Sequence, residues 1–462
     1  MVFKEVFEEF LKSGPICVML RAVMENVFAP VKLDAVFHTA AVEQYERELL
    51  FSTLVDLTAL VVCRITPSMH AAYVRRRDDI PVSVTALYDK LSHVEPCTSR
   101  ALVQHTAGEV NALIDRMKGC RTALLPGYRV RILDGNHLAG TQRRLGVLRG
   151  KGVAALPGQA LALLDPQRMV IEDVIPCEDG HAQERSLLDQ VLPLLRARDV
   201  LIDDRNFCTQ AFLVGIARRK AKFITRQHSA MPCPTHGKCR YVGKSKTGRV
   251  YEQVATVRNP AGGQEIQVRR ITVKLLKPTR DGDGEIHLLT NLPSKVGAVK
   301  VAQLYLNRWK LETAFQELTV HLRCELNTLG YPKAALFSFC VAVCCYNLLA
   351  AIKGALRGAH GEEAVDQVSN FYLTDEISGV YRGMMIALPP KQWEIFRTMS
   401  TQGLATTLLR WSRQVALKDY PKHPRGPKRT SRPRATSRHV STARLLEEKH
   451  TNKQLATTRA TP

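Results

Sequence analysis

Acidic residues are the scarce class in this sequence. Its 462 residues hold 43 Asp and Glu against 66 Lys and Arg, leaving a formal charge of +23. An excess of that size speaks for a polyanionic partner and says nothing of fold. The N-terminus, MVFKEVFEEF, lacks a basic stretch followed by a sustained apolar run, so no secretory signal is expected there. Long apolar runs are also lacking, with one exception. Ala334 to Ile352 spans 19 residues, interrupted by Ser338, Tyr346 and Asn347, and at that length the polar residues favour a buried core helix over a membrane span. The 12 cysteines lack the setting of a disulfide framework, a short exported chain, and are expected as reduced thiols, with Cys340, Cys344 and Cys345 in the core helix. CPTHGKC offers Cys233, His236 and Cys239 as zinc-type ligands, but no fourth ligand has an obvious spacing, so zinc is the minor reading.

A hydrophobic content of 45% with 24% charged residues is that of a folded protein, and the length implies roughly two to four domains. The charge is confined to two places. Arg218 to Arg280 carries 16 Lys and Arg against Glu252 and Glu265, a net +14, and Lys418 to Pro462 carries a net +9, so the rest is neutral as a set. A solvated face would be less concentrated; phosphate contact is the better account.

Residues 1–122 read as a helical N-terminal domain, with apolar residues at three- and four-residue spacing in FKEVFEEFLK and TSRALVQHTAGEVNALIDRM. Its stretch VSVTALYDKLSHVEPCTSRALVQHT fits either a helix-turn-helix DNA reader or an ordinary helical hairpin. Any end recognition there would lean on a local cluster such as Arg75, Arg76 and Arg77. After Pro126-Gly127 the period changes. In 123–226, YRVRILD, QALALLD and RMVIEDVIP read as strands, HAQERSLLDQVLPLL as a helix and DVLIDD as a strand, with carboxylates ending the first and fourth strands. Residues 227–292 form a basic, β-rich insertion. One long helix is expected from about Val299 to Leu326, within a second part of the core at 293–355, followed by helices over 356–417 and a basic, solvated tail at 418–462 whose mixed end after 437 has no assigned role.

In LYLNRWKLETAFQEL, helical geometry sets Tyr305, Arg308, Glu312 and Thr319 on one face, within roughly 60° of Tyr305, beside an apolar stripe. Two strand-end aspartates and a helix glutamate are hard oxygen donors of the kind Mg²⁺ takes, and a metal pair suits in-line displacement at phosphorus. Strand alternation puts Asp204 with Val200 and Ile202, and Asp203 on the other face, without deciding which face looks at a metal.

The combination of YRVRILDGNHL, VLIDDRNFC and YLNRWKLETAFQEL resembles the DDE transposases of bacterial insertion sequences, in particular insertion-sequence family 4 with its Tyr-Arg-Glu-Lys signature. The resemblance covers roughly 126–355. It implies an α/β fold, a ribonuclease-H-like mixed-sheet catalytic core with a β-rich insertion, flanked by helical N- and C-terminal regions. It implies Asp134, Asp204 and Glu312 as catalytic and metal-binding acids, with Asp203 as runner-up to Asp204, and two Mg²⁺ ions for which Mn²⁺ substitutes. Arg205 and Phe207 match an Asp-Arg-x-Phe pattern, and Tyr305 and Arg308 match residues that engage the DNA backbone. The signature lysine is replaced by Thr319, which leaves a phosphate contact to a hydroxyl or to Lys310 or Arg323. Relatives that use a DNA hairpin stack a flipped base on a tryptophan in the insertion; here Trp309, Trp393 and Trp411 all lie outside it, Tyr251 is the aromatic offered for stacking in their place, and a hairpin intermediate does not follow from the sequence.

The function so implied is metal-dependent cleavage at insertion-sequence ends and strand transfer into target DNA. Its partners are end and target DNA and a second copy in a synaptic homodimer, without a membrane, in the bacterial cytoplasm at the nucleoid. The alternatives are a catalytically impaired DNA-binding relative and a metal-dependent nuclease without strand transfer.

Overall fold

The computed structural model describes residues 2–138, 145–150, 155–259, 261–279, 282–326, 329–423 and 440–459. Seven helices come first: α1 (Val2–Ser13), α2 (Pro15–Val27), α3 (Pro30–Ala40), α4 (Phe51–Val62), α5 (Met69–Arg75), α6 (Val84–His93) and α7 (Pro96–Arg116). Proline opens α2, α3 and α7, where its fixed φ suits the first turn and no N–H is missed. Ser68 and Ser83 cap α5 and α6 by accepting the N–H of Ala71 and Ala86.

The sheet region follows with β1 (Arg129–Leu138), β2 (Ala155–Leu156), β3 (Gly158–Asp165), β4 (Val170–Cys177), β5 (Asp199–Asp203), α8 (Gln210–Arg218), β6 (Lys222–Arg226), β7 (Thr235–Lys244), β8 (Gly248–Arg258), β9 (Glu265–Leu275) and β10 (Glu285–Thr290). Nine strands form one mixed sheet in the order β4-β3-β1-β5-β6-β10-β9-β8-β7. β1 runs parallel to β5, and β5 to β6; the remaining pairs are antiparallel. The basic segment extends the central sheet, because β10 pairs with β6 and carries β9, β8 and β7 outward. Arg280, at the end of that segment, lies outside the described residues.

Alternation along the strands sends side chains to two cores. Ile132, Val200 and Ile202 join the larger core with the helices, whereas Leu133, Leu201 and Phe223 join a smaller one with Leu187, Leu188, Phe207 and Phe212. The segment 181–195, expected as an α-helix, is instead two 3₁₀ turns, Glu184–Gln190 and Leu192–Leu194. Pro193 has no N–H to continue a helical ladder, which accounts for the break.

The last part holds α9 (Ala298–Tyr305), α10 (Trp309–Val320), α11 (Pro332–His360), α12 (Glu362–Asp366), α13 (Asn370–Ala387), α14 (Thr401–Ser412), β11 (Val440–Ser441) and α15 (Thr442–Arg459). A 3₁₀ turn at Leu306–Arg308 divides what the sequence suggests is one long helix. α11 is long and apolar enough to cross a membrane, and its apolar window is wholly buried within the fold. Asn347, inside that helix, accepts the N–H of Ile171 and donates to its carbonyl, both at 2.9 Å, so this polar residue serves the backbone of β4.

α7 packs against α11 and β4. Its Arg100 holds Asp173 with two bonds at 2.9 and 2.8 Å, and Gln104 donates to the same carboxylate. The second helix of the helix-turn-helix outline thus packs one of its faces within the chain. The terminal tail differs from the expectation of a solvated run. Val440–Ser441 pair in parallel with Ala155–Leu156, and Arg444 at the start of α15 bonds Asp179 at 2.7 Å. The Pro/Arg-rich residues 424–439 lie outside the described residues.

Candidate active site

β1 carries Asp134 two residues past Ile132, the last residue that pairs with β5, opposite Ile202. Asp204 lies two residues past Ile202 and begins the 3₁₀ turn Arg205–Phe207, pinned by the buried ring of Phe207. Both carboxylates belong to the face of Ile132 and Ile202, against which α9 and α10 pack through Leu304, Leu311 and Leu318. The 3₁₀ turn between those helices brings Tyr305, Arg308 and Glu312 to the two aspartates.

Arg308 Nη1 stands 3.1 Å from Oδ2 of Asp134 and 2.6 Å from Oε1 of Glu312. Tyr305 donates its hydroxyl to Oδ1 of Asp204 at 3.2 Å. The Gly135 N–H donates to Oδ1 of Asp134 at 3.0 Å. Burial pushes the Asp134 carboxyl up to about 7; Arg308 and the Gly135 N–H oppose the shift, and the charges of Glu312 and Asp204 add to it. Burial works against the Arg308 charge, yet Asp204, Tyr305, Asp134 and Glu312 together raise its pKa. Burial raises the Tyr305 phenol too, with Asp204 adding, so it stays a donor.

Asp203 points to the opposite face. It is fully buried beside its cross-strand neighbour Thr225, neither carboxylate oxygen meets hydrogen-bond geometry with a partner among the described residues, and burial drives its pKa far up, with Thr225 opposing the shift. The geometry thus separates the two adjacent aspartates, and Asp204 is the one that meets the other acids.

The remaining candidates lie elsewhere. Arg205 stands 3.9 Å from Asp283 on the basic side. Lys310 has Arg121, Glu362 and Asp366 as its charged neighbours, and burial lowers its pKa. The Thr319 hydroxyl donates back to the Phe315 carbonyl at 3.0 Å. Arg323 donates to the Pro67 carbonyl, tying α10's end to the N-terminal helices. On the basic strands, Tyr241 and Tyr251 stack edge to face at 5.5 Å, with Lys274 Nζ 5.2 Å from the Tyr251 centroid. His236 bonds the Thr256 hydroxyl at 2.8 Å, and Cys233 and Cys239 do not join it in a metal-type cluster.

Among the described residues no three His, Cys, Asp or Glu stand at metal-holding spacing, and Arg308 lies between Asp134 and Glu312. The donor set nevertheless fits a hard cation. Three carboxylates face one guanidinium, and beside burial the like charges of Glu312 and Asp204 raise the Asp134 pKa, a repulsion that a cation would relieve.

Residues 125–348 match the family described as Transposase DDE domain. The segment similar to that family contains Asp134, Asp204, Tyr305, Arg308 and Glu312. A protein of Sinorhizobium fredii (strain NBRC 101917 / NGR234), "Putative transposase y4zB", is 33% identical over 151 residues, 32% of this chain and 41% of that protein. The chain thus spans about two fifths of the length of this curated relative. A piggyBac transposase synaptic complex with hairpin DNA, seen by cryo-electron microscopy, aligns over 91% of this chain and 88% of that one, at 10% identity and a TM-score of 0.40, a likeness too slight to carry an argument.

Proposed function

We propose that the protein is a transposase that cleaves DNA at insertion-sequence ends and joins the freed ends to target DNA, on a core of ribonuclease-H-like topology. The single observation that carries the reading is the convergence of Asp134, Asp204 and Glu312 on one arginine within the segment matched as a DDE domain. Support for the topology comes from the order β4-β3-β1-β5-β6, antiparallel on one side of β1 and parallel on the other, with the acids at the ends of β1 and β5.

Asp134, Asp204 and Glu312 would hold divalent ions, Mg²⁺ or in its place Mn²⁺, which when bound activate a nucleophile and stabilise charge on the leaving oxygen. The other roles fall to the chain's own groups. Tyr305 orients the Asp204 carboxylate through its hydrogen bond. Arg308 balances the acids, and its Nε, buried and without a partner among the described residues, would donate to a DNA phosphate. The strands β7 to β9 carry the positive charge that holds duplex DNA beside the site. A second copy completes a synaptic pair.

The test uses the full chain and a plasmid carrying its reading frame with flanking DNA. With Mg²⁺ or Mn²⁺, end cleavage and joining to a second plasmid are expected, and both are abolished in Asp134→Asn, Asp204→Asn and Glu312→Gln while end binding persists. Cleavage without joining would instead indicate a nuclease. Binding without cleavage in the unaltered protein would indicate an impaired relative.

A further inference from the structure

The β1–β5 ladder ends at Ile132 and Ile202, two residues short of both aspartates. Direct pairing between β1 and β5 therefore does not reach Asp134 and Asp204. On the sheet face opposite Arg308, a second set of contacts spans the same gap. Gly135, next to Asp134, receives the Glu184 carboxylate so closely that a Cβ there would lie 1.8 Å from Oε1 and 2.6 Å from Cδ. The side chain of Asn206, two residues past Asp204, stands beside the same carboxylate and favours its charge. Arg185 Nε donates to the Asn206 carbonyl at 2.8 Å. Leu187 and Leu188, one turn along, are buried in the smaller core together with Phe207, so the 3₁₀ turn carrying Glu184 and the turn carrying Asn206 share one anchor. Burial opposes the charge of the Glu184 carboxylate, and the neighbouring His137, on the Gly135 face of β1, favours it.

We infer that Glu184 is a positioning residue for the acid pair: lodged over Gly135, on the turn whose next residue, Arg185, holds the Asn206 carbonyl, its carboxylate ties the backbone beside Asp134 to the turn that follows Asp204 and sets their separation for a divalent ion. The inference rests on the metal-site reading above. Gly135 is part of the same device, because any side chain there would evict the Glu184 carboxylate. That carboxylate is the far end of a flexible side chain, so the eviction leaves the backbone in place.

The experiment titrates Mn²⁺ into the full-length protein by calorimetry and follows thermal unfolding in EDTA. Loss of an outer partner of a metal ligand typically weakens metal affinity by about 10–100-fold. Glu184→Ala and Gly135→Ala are each expected to weaken Mn²⁺ binding on the order of tenfold or more, with the metal-free midpoint within a few degrees of the parent. Glu184→Gln, which keeps the length and a polar end over Gly135, is expected to restore most of the affinity. Should Glu184→Ala fail to fold, Gly135→Ala carries the same test. Parental affinity in Gly135→Ala, or a loss in Glu184→Gln equal to that in Glu184→Ala, overturns the positioning role. Asp134→Asn is the separate control: if it binds Mn²⁺ like the parent, the metal-site reading itself is wrong and the inference goes with it.

Discussion

Arg308 Nη1 stands 3.1 Å from the Asp134 carboxylate, and the two side chains are only 11% and 17% exposed. The guanidinium is the internal counter-ion of the acids. Taking one partner from a buried pair costs about 3–5 kcal/mol, because the other is left desolvated and uncompensated. Glu312 is 38% exposed and partly served by water, so the loss here is expected nearer about 2 kcal/mol. Arg308→Gln should lose that much in urea denaturation at pH 8 without metal, and saturating Mn²⁺ should restore more stability to the variant than it adds to the parent. An unchanged metal increment would mean that Arg308 and the ion do not answer the same charge.

Asp134 supplies the matching pH dependence. Its pKa in the folded protein is about 7 against an ordinary value of 3.8, so between those values the folded state binds the proton that the unfolded state has released. Stability from this group is therefore greatest at low pH, declines as pH rises from about 4 to 7, and is fully lost above 7. Asp134→Asn removes the ionisation. A pKa raised by one costs about 1.4 kcal/mol above it, but the variant also deprives Arg308 of a partner, which takes back part of the gain. The metal-free protein should therefore be stabilised by about 2 kcal/mol at pH 8. The benefit should grow from pH 5 to pH 7 and then level off, as read from paired urea titrations; a constant benefit would mean the gain comes from packing.

Asn347 makes a prediction about the core. Its amide replaces a strand neighbour for Ile171, at the point where the β3–β4 register slips between Leu163 and Leu164. Asn347→Leu would leave a buried N–H and a buried carbonyl unpaired, each worth about 1–3 kcal/mol. A loss of about 3 kcal/mol in chemical denaturation is expected, with the far-UV helical signal retained.

What the sequence reveals and what it hides divides along the range of the contacts involved. Asp134 and Asp204 end short apolar strands, and Tyr305, Arg308 and Glu312 repeat at helical spacing, so local pattern suffices to nominate them. Choosing Asp204 over Asp203 needs the identity of the two faces, which only packing supplies: Ile202 meets the helices and Leu201 the smaller core. Glu184 is invisible in the sequence because its segment has helical periodicity yet folds as 3₁₀ turns, and its role depends on a missing Cβ at Gly135. The basic segment reads as an independent insertion because the β10–β6 pairing joins residues about sixty apart, and composition does not record such pairing. The docking of Arg444 on Asp179 is of the same long-range kind.

The basic strands give the last prediction. β7 lies at the edge of the sheet with Lys238, Arg240 and Lys244 exposed along it. Exposed lysines and arginines on an edge guard it against pairing with other chains, and that alone would explain them. Binding to phosphate makes a different demand: each neutralised phosphate releases counterions, so the slope of log binding constant against log salt falls by about 0.9 for every phosphate left without its cation. The triple variant Lys238→Gln, Arg240→Gln, Lys244→Gln should lower that slope by about 2–3 on duplex DNA of any sequence, weaken binding uniformly, and leave the thermal midpoint unchanged because the side chains are solvated. An unchanged slope accompanied by new self-association would assign these residues to edge protection and move DNA binding to other cations of the +14 segment.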